Sequence, residues 1–298
     1  FLSGEKNMYR ITENGFIDKD GNILKKITTE LINDSMSLEK QNNSLEEYIE
    51  THEKERYSTL VKYLMDEFQS FIGLHVFINE TCKVCNYDRN SLRSIILDVG
   101  CGISKNFPLY FNKLKIYVGL DPFEINTEVR EYLFINGIFE GLHKFIETKF
   151  DYLIFSTSLD HFYSLEAVKK EIKKILKPDG LVFFWVGIND PDVVARQSLA
   201  NAFENFNIFH IKDLIKSIIK TPLRILKLYY SSIKRQKKLN KKIPLDNLHF
   251  HYFTKQSFIH YMYEIGKIVD IRFIHLTNSI FCAVQPAIKN MTSNELDL

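Results

Sequence analysis

The sequence predicts an α/β protein, and three observations predict it. An apolar run, Ser94 to Val99, stands directly before a glycine turn at Gly100 and Gly102, followed by a helix-length segment and a second apolar run, Lys115 to Leu120. That is a strand, a tight loop, a helix and a strand. Phe150-Asp151 then leads into another apolar strand; Ser164 stands as N-cap for a helix over Leu165 to Leu176, and Lys177-Pro178-Asp179-Gly180 turns into a strand over Leu181 to Val186. Near the end, Thr254 opens a helix within Tyr252 to Gly266, and Lys267 to Leu276 and Ser279 to Gln285 flank a turn at Thr277-Asn278. Two strands joined so briefly run antiparallel.

The chain has 298 residues, of which 45% are hydrophobic, enough for one α/β domain of ordinary size with insertions. A formal net charge of +2 excludes a polycation, although charge can still be segregated locally. No apolar run reaches the roughly 18 residues of a membrane span, and no signal-peptide pattern opens the chain. Four cysteines, Cys82, Cys85, Cys101 and Cys282, fit a reducing compartment, so a cytoplasmic protein is expected. The chain opens on Phe1 rather than a methionine, which leaves room for sequence ahead of it.

From the N-terminus, Met8 to Ile27 alternates β-prone runs with Asn14-Gly15 and Asp20-Gly21, both hairpin turn signals, which predicts a small β appendage. Between Thr28 and Ile72 the sequence is polar and then amphipathic, with Tyr57, Leu60, Val61, Leu64, Met65 and Phe68 at helical spacing. Cys82 and Cys85 have the spacing of a metal knuckle, but zinc needs four ligands and no second pair follows, so no metal is expected. The expected organisation is an appendage with covering helices over 1–72, a core over 73–190, a helical basic insertion over 191–250, and the end of the core with a tail over 251–298.

The glycine turn lets the backbone approach a ligand closely. Asp121 closes the second strand about twenty residues on, where a carboxylate can accept hydrogen bonds from both hydroxyls of a ribose. A nucleoside cofactor is implied. A pyrophosphate is not, because the third glycine of G-x-G-x-x-G is missing from Gly100 to Lys105.

Asp98-Val-Gly-Cys-Gly102 followed by Gly119-Leu-Asp-Pro122 resembles motif I and the strand-2 acid of the class I S-adenosylmethionine-dependent methyltransferases. Ser156 to His161 resembles the motif IV of that family with its L-x-H, and the K-P-D-G turn is similar to the family's, so the resemblance runs unbroken from Ile95 to Val186. A weaker likeness covers Tyr9 to Ile17, which is similar to a segment that follows a zinc ribbon in some members, without the ribbon cysteines. The resemblance implies a doubly wound, seven-stranded Rossmann-like sheet with an antiparallel last strand, S-adenosyl-L-methionine as cofactor, and a cofactor site of Asp98, Gly100, Cys101, Gly102, Asp121, Pro122, Ile138, Phe139 and Ser156. Ile138 stands where family members carry an acid for the adenine amino group, so base recognition would rest on backbone groups and on sandwiching by Ile138 and Phe139. By the same resemblance Tyr57 or Arg56 closes over the methionine end; the alternative is that Tyr57 simply packs.

For a hydroxyl acceptor a base beside the methyl group is useful, and His161 is the first candidate, with Asp160 to orient or replace it and His249 and His251 able to reach the same mouth. Each of these histidines has a purely structural alternative. The segment from Leu248 to Phe258 resembles one found in methyltransferases of glycan and secondary-product pathways, which implies a small-molecule, sugar, nucleotide-sugar or glycan hydroxyl as acceptor and a place in glycan biosynthesis. A scaffold or regulator that binds cofactor without transfer remains the alternative. Within the insertion, Lys212, Lys216, Lys220 and Arg224 recur every fourth residue and the charge continues to Lys242, with Asp213 the only acid from Lys212 to Lys242. Three readings stand: a lid with solvated lysines, a peripheral membrane contact through 212–242 that reaches a lipid-linked acceptor, or attraction of a phosphate-bearing substrate, RNA being ranked last.

Overall fold

The structure is a computed structural model that describes residues 8–29, 73–84, 94–102, 107–108, 116–122, 130–162, 164–188, 226, 230, 250–274 and 279–286. The amphipathic stretch with Arg56 and Tyr57, Cys85, His249 and nearly all of the basic insertion lie outside them. Within the insertion only Leu226, Tyr230 and Phe250 are described, the first two helical and exposed and the last buried.

Eleven strands are described: β1 (Arg10–Thr12), β2 (Gly15–Ile17), β3 (Ile23–Leu24), β4 (Lys26–Thr28), β5 (Ile95–Val99), β6 (Ile116–Asp121), β7 (Leu133–Asn136), β8 (Phe150–Ser156), β9 (Leu176–Gly187), β10 (Gly266–Ile274) and β11 (Ser279–Pro286). The helices are α1 (73–84), α2 (Leu165–Ile175) and α3 (Lys255–Ile265). β4 to β11 form one sheet in the order β10-β11-β9-β8-β5-β6-β7-β4. β4 through β9 run parallel, while β11 lies antiparallel between β9 and β10. The doubly wound order and the antiparallel last strand are as expected. The sheet has one strand more than the expected seven, because β4, from the N-terminal segment, adds in parallel to the outer edge of β7.

The strands read as continuous apolar runs because both faces of the sheet are covered. Leu97, Val99, Leu153, Phe155, Val182, Phe184 and Val186 face α2 and α3. Ile96, Tyr152, Ile154, Leu181, Phe183 and Trp185 face the other layer with α1, where the Phe77 ring meets Phe183 edge-on at 6.3 Å and Phe281 at 5.6 Å. Caps set the helix starts. Ser164 Oγ accepts from the Ala167 N–H at 3.2 Å, and Thr254 and Ser257 form a reciprocal capping box. Tyr261 donates to the Leu165 carbonyl at 2.8 Å and so ties α3 to α2.

The N-terminal hairpin forms at the first turn signal, β1 pairing β2 across Glu13-Asn14, and β3 completes a three-stranded sheet. This small sheet is bonded to the core: Tyr9 N–H donates to the Phe145 carbonyl at 2.7 Å, and Ile11 N–H to Thr148 Oγ1 at 2.9 Å.

Candidate functional site

Four parallel strands, β8, β5, β6 and β7, end side by side at Ser156, Val99, Asp121 and Asn136. The chain order reverses between β5 and β8, which makes their carboxyl ends the switch point where ligands bind in open α/β sheets.

The glycine turn sits at this point. Gly100 and Gly102 have φ of 78° and 72°, which side chains rarely adopt. The N–H groups of Gly100 and Cys101 both donate to the Leu120 carbonyl, at 2.8 and 3.2 Å, and so lash the turn to β6. A Cβ on Gly100 would lie 2.5 Å from Ser158 Cβ, so the turn is pressed against the loop after β8. Ser158 is fixed in turn by donating to the Val99 carbonyl at 2.6 Å. Gly100→Ala is therefore expected to cost about 1–3 kcal/mol of stability, through backbone strain and overpacking together. Adding Ser158→Gly should recover only the overpacking share; thermal melts of the single and double variants check this.

Asp121 ends β6 at 3% exposure, and its Oδ2 accepts the Gly102 N–H at 2.8 Å. A carboxylate offers about four acceptor positions, the chemistry that the two hydroxyls of a ribose call for. Pro122 follows, its carbonyl accepting from Asn136 Nδ2 at 3.2 Å, and the Gly137 N–H donates to the Asp121 carbonyl at the same distance. The two loops are thereby held together.

Asp98 lies beneath the turn at 1% exposure, where the Tyr117 hydroxyl donates to its Oδ2. Cys101 turns its sulfur onto the aromatic layer, within 3.9 Å of Arg130 Nη1 and Tyr132 Oη. Burial pushes its thiol well up, and the charges of Asp121 and Asp98 add to this, so the thiol stays protonated and is no nucleophile. Burial also pushes the Tyr132 hydroxyl up. Arg130 Nη1 donates to the Gly102 carbonyl at 2.9 Å, with its guanidinium 3.9 Å above the Phe134 ring. Sequence reasoning missed this clamp, because nothing in the local pattern links Arg130 to a turn 28 residues earlier.

In the loop after β7, Phe139 is 1% exposed and sets its ring edge-on against Phe155 and Phe162. Its ring belongs to the core and does not face outward as expected, while Ile138 is half-buried. Beyond it, the Glu140 carboxyl is pushed up to about 7 by burial, with the charge of Glu171 adding and its own backbone N–H opposing. An unfolded glutamate ionises near 4.5, so folding carries no penalty from this group below that pH; the penalty grows up to about pH 7 and is constant above. Glu140→Gln should thus raise stability at pH 8 by up to about 3 kcal/mol while leaving it unchanged at pH 4. Urea unfolding at the two pH values is the check.

Ser156 ends β8 at 9% exposure, and its hydroxyl has no hydrogen-bond partner among the described residues. Thr157 follows at φ 54°, uncommon for a β-branched residue, and starts the turn into Leu159–His161. His161 Nε2 stands 3.7 Å from Asp160 Oδ1, with the two side chains 26% and 19% exposed. The Asp160 carbonyl accepts two N–H groups, from Phe250 at 3.0 Å and His251 at 3.1 Å. The segment after the insertion is thus fastened to the end of β8, which brings the backbone of His251 beside Asp160 and His161. A positive-φ glycine turn, a carboxylate at the end of the next strand and a Ser156 hydroxyl with no partner among the described residues suit a nucleoside cofactor. Among the described residues no group of acidic, histidine or cysteine side chains could hold a metal, and no helix is long and apolar enough to cross a membrane.

Residues 97–184 match the family model described as methyltransferase domain. Over 107 residues the chain is 28% identical to the thiol S-methyltransferase TMT1B of Rattus norvegicus and 27% identical to that of Mus musculus, in each case over 32% of this chain and 43% of the relative. The chain thus spans less than half the length of the curated relatives it matches. Solved structures similar to it include an S-adenosylmethionine-dependent methyltransferase from Clostridium acetobutylicum, with 11% identity, 79% and 99% coverage of the two chains and a TM-score of 0.44. The 1,6-didemethyltoxoflavin-N1-methyltransferase of Burkholderia thailandensis is similar at 11% identity, 95% and 100% coverage and the same TM-score, 0.44.

Proposed function

We propose that this chain, a member of the class I S-adenosylmethionine-dependent methyltransferase family, transfers a methyl group to an oxygen or sulfur of a small acceptor. The observation that carries the reading is the carboxylate of Asp121, at the end of the strand next to the switch point and bonded to the Gly102 N–H of the glycine turn there. S-adenosylmethionine, when bound, supplies an electrophilic methyl on a sulfonium. The chain's own part is to align the reactants and to remove a proton. Asp121 and Ser156 would hold the nucleoside through its hydroxyls and amines. The glycine turn, clamped by Arg130 and backed by Ser158, gives the cofactor a rigid wall. At the mouth, His161 takes the acceptor's proton and the Asp160 carboxylate steadies the ring.

For the acceptor, the resemblance around Leu248 to Phe258 supports a sugar or glycan hydroxyl. A second reading is a thiol, which the printed activity of the rodent relatives favours. The peripheral membrane contact through 212–242 belongs to the same proposal, as a route to a lipid-linked acceptor. The test is methyl transfer from labelled S-adenosylmethionine to a panel of nucleotide sugars, small glycans and alkyl thiols, alongside calorimetry with S-adenosylhomocysteine. Binding without transfer to any acceptor would point to the scaffold role; absence of binding would remove the function altogether. For the membrane contact, co-sedimentation with anionic vesicles should weaken with salt and with glutamine at Lys216, Lys220 and Arg224. No sedimentation at low salt would overturn it.

A further inference from the structure

Thr157 follows β8 with a φ of 54° and, among the described residues, is the one residue other than glycine with a positive φ. A branched Cβ makes that conformation costly, and glycine or asparagine would adopt it more easily. The backbone is held there from both sides. Thr157 N–H donates to the Trp185 carbonyl at 2.8 Å, which carries the β8–β9 ladder one step past the pair of Ser156 with Trp185. The next residue, Ser158, is buried, with its hydroxyl on the Val99 carbonyl and its Cβ pressed against Gly100. The turn at 157 is fixed by its neighbours.

The side chain has a different setting. Thr157 is exposed, while Ser156 and Ser158 on either side of it are buried. It stands at the carboxyl end of β8, beside the switch point and just ahead of the turn Leu159–His161 that carries the proposed base. Backbone strain of this kind persists where the surrounding structure imposes it, and it clusters where ligands are clamped. With the residue exposed, burial does not account for a threonine at a position that suits glycine. What threonine adds there is a hydroxyl, a donor and an acceptor at once, at the mouth of the site.

We infer that Thr157 Oγ1 hydrogen-bonds the acceptor and selects one that carries hydroxyl groups over a simple thiol. This rests on the methyl-transfer reading above and deepens it, by naming a residue that chooses the acceptor. A hydroxyl forms a full hydrogen bond with an alcohol, whereas a thiol is a weak donor and a weak acceptor. The strained, branched residue suits the task. Its backbone is fixed and its χ1 is stiff, so little freedom is lost when the acceptor binds.

The experiment measures kcat and KM for methyl transfer by the full chain to nucleotide sugars, small glycans and alkyl thiols. For the hydroxylated acceptor that the wild type methylates best, Thr157→Val, with the same branching and no hydroxyl, should raise KM about threefold to tenfold, the loss of one neutral hydrogen bond. Thr157→Gly should raise KM at least as much and yet melt higher than the wild type, because its backbone accepts a φ of 54° without strain. Thr157→Ser, which retains the hydroxyl, should fall between the wild type and Thr157→Val. Affinity for S-adenosylhomocysteine should not follow these changes. An unchanged KM in Thr157→Gly, an equal rise in Thr157→Ser and Thr157→Val, a matching loss of S-adenosylhomocysteine affinity, or wild-type transfer to alkyl thiols alone would each overturn the inference. If Thr157→Val fails to fold, a KM raised in Thr157→Gly and less raised in Thr157→Ser supports it, and equal values in those two overturn it. Failure of the methyl-transfer reading looks different and ends both, since the wild type would then transfer to no acceptor.

Discussion

Asp121→Ala is expected to weaken S-adenosylmethionine binding by about 2 kcal/mol or more, roughly thirtyfold, because hydrogen bonds to a charged acceptor are each worth about 1.5–3 kcal/mol. The same carboxylate holds the Gly102 N–H at 2.8 Å, so the variant also releases one end of the glycine turn. Asp121→Asn separates the two roles. Its carbonyl oxygen can still accept from Gly102, while its charge is gone, so it should recover the turn and only part of the affinity. Calorimetry on folded variants decides. Unchanged affinity in Asp121→Ala would remove this residue from the site.

His161→Ala should lower turnover by about 10²- to 10⁴-fold with a hydroxyl acceptor, the usual contribution of a positioned general base. With a thiol acceptor the loss should be far smaller. A thiol with a pKa near 8.5 is already a few per cent thiolate at neutral pH and is intrinsically nucleophilic, whereas a hydroxyl needs its proton taken during the reaction. Cofactor affinity should be unchanged in either case. Asp160→Asn keeps the backbone carbonyl that receives the Phe250 and His251 N–H groups, so its effect reports the carboxylate alone. Turnover with paired oxygen and sulfur acceptors of the same skeleton is the measurement, and a loss equal for both would argue that His161 shapes the mouth and moves no proton.

The parts of this site that the sequence announces are those made within a few residues. Gly100, Gly102 and Asp121 belong to two adjacent parallel strands and the turn that follows the first, so their spacing already carries their geometry. The Ser164 and Thr254 caps and the antiparallel β10–β11 pair are equally local. Long-range partners leave no such trace. Three residues, Lys26 to Thr28, give no periodicity that would point to β7, and neither Ser158 nor Arg130 has a neighbour in sequence that reveals its contact with the glycine turn. Phe139 shows a different limit. Its position in the loop suggests a wall for the base, but burial of an aromatic ring against Phe155 and Phe162 is a stronger demand than contact with a ligand. The joining of Asp160 to Phe250 and His251 spans the whole insertion, and only the fold brings those residues together.

The parallel pairing of β4 with β7 also bears on synthesis. Lys26 to Thr28 leave the ribosome well before their partners Phe134 to Asn136. At 5–20 residues per second the gap of roughly a hundred residues takes about 5–20 seconds. Throughout that interval the nascent strand has no sheet to join, and the large sheet closes its outer edge only after β5, β6 and β7 exist. Its brevity and the lysines at 25 and 26 are features that keep a solitary strand from pairing with other chains. Starting translation beyond residue 29 would leave β7 as the permanent rim, with its backbone open to a neighbouring molecule, so a shortened chain should emerge prone to aggregate even though every strand carrying the glycine turn and Asp121 is intact.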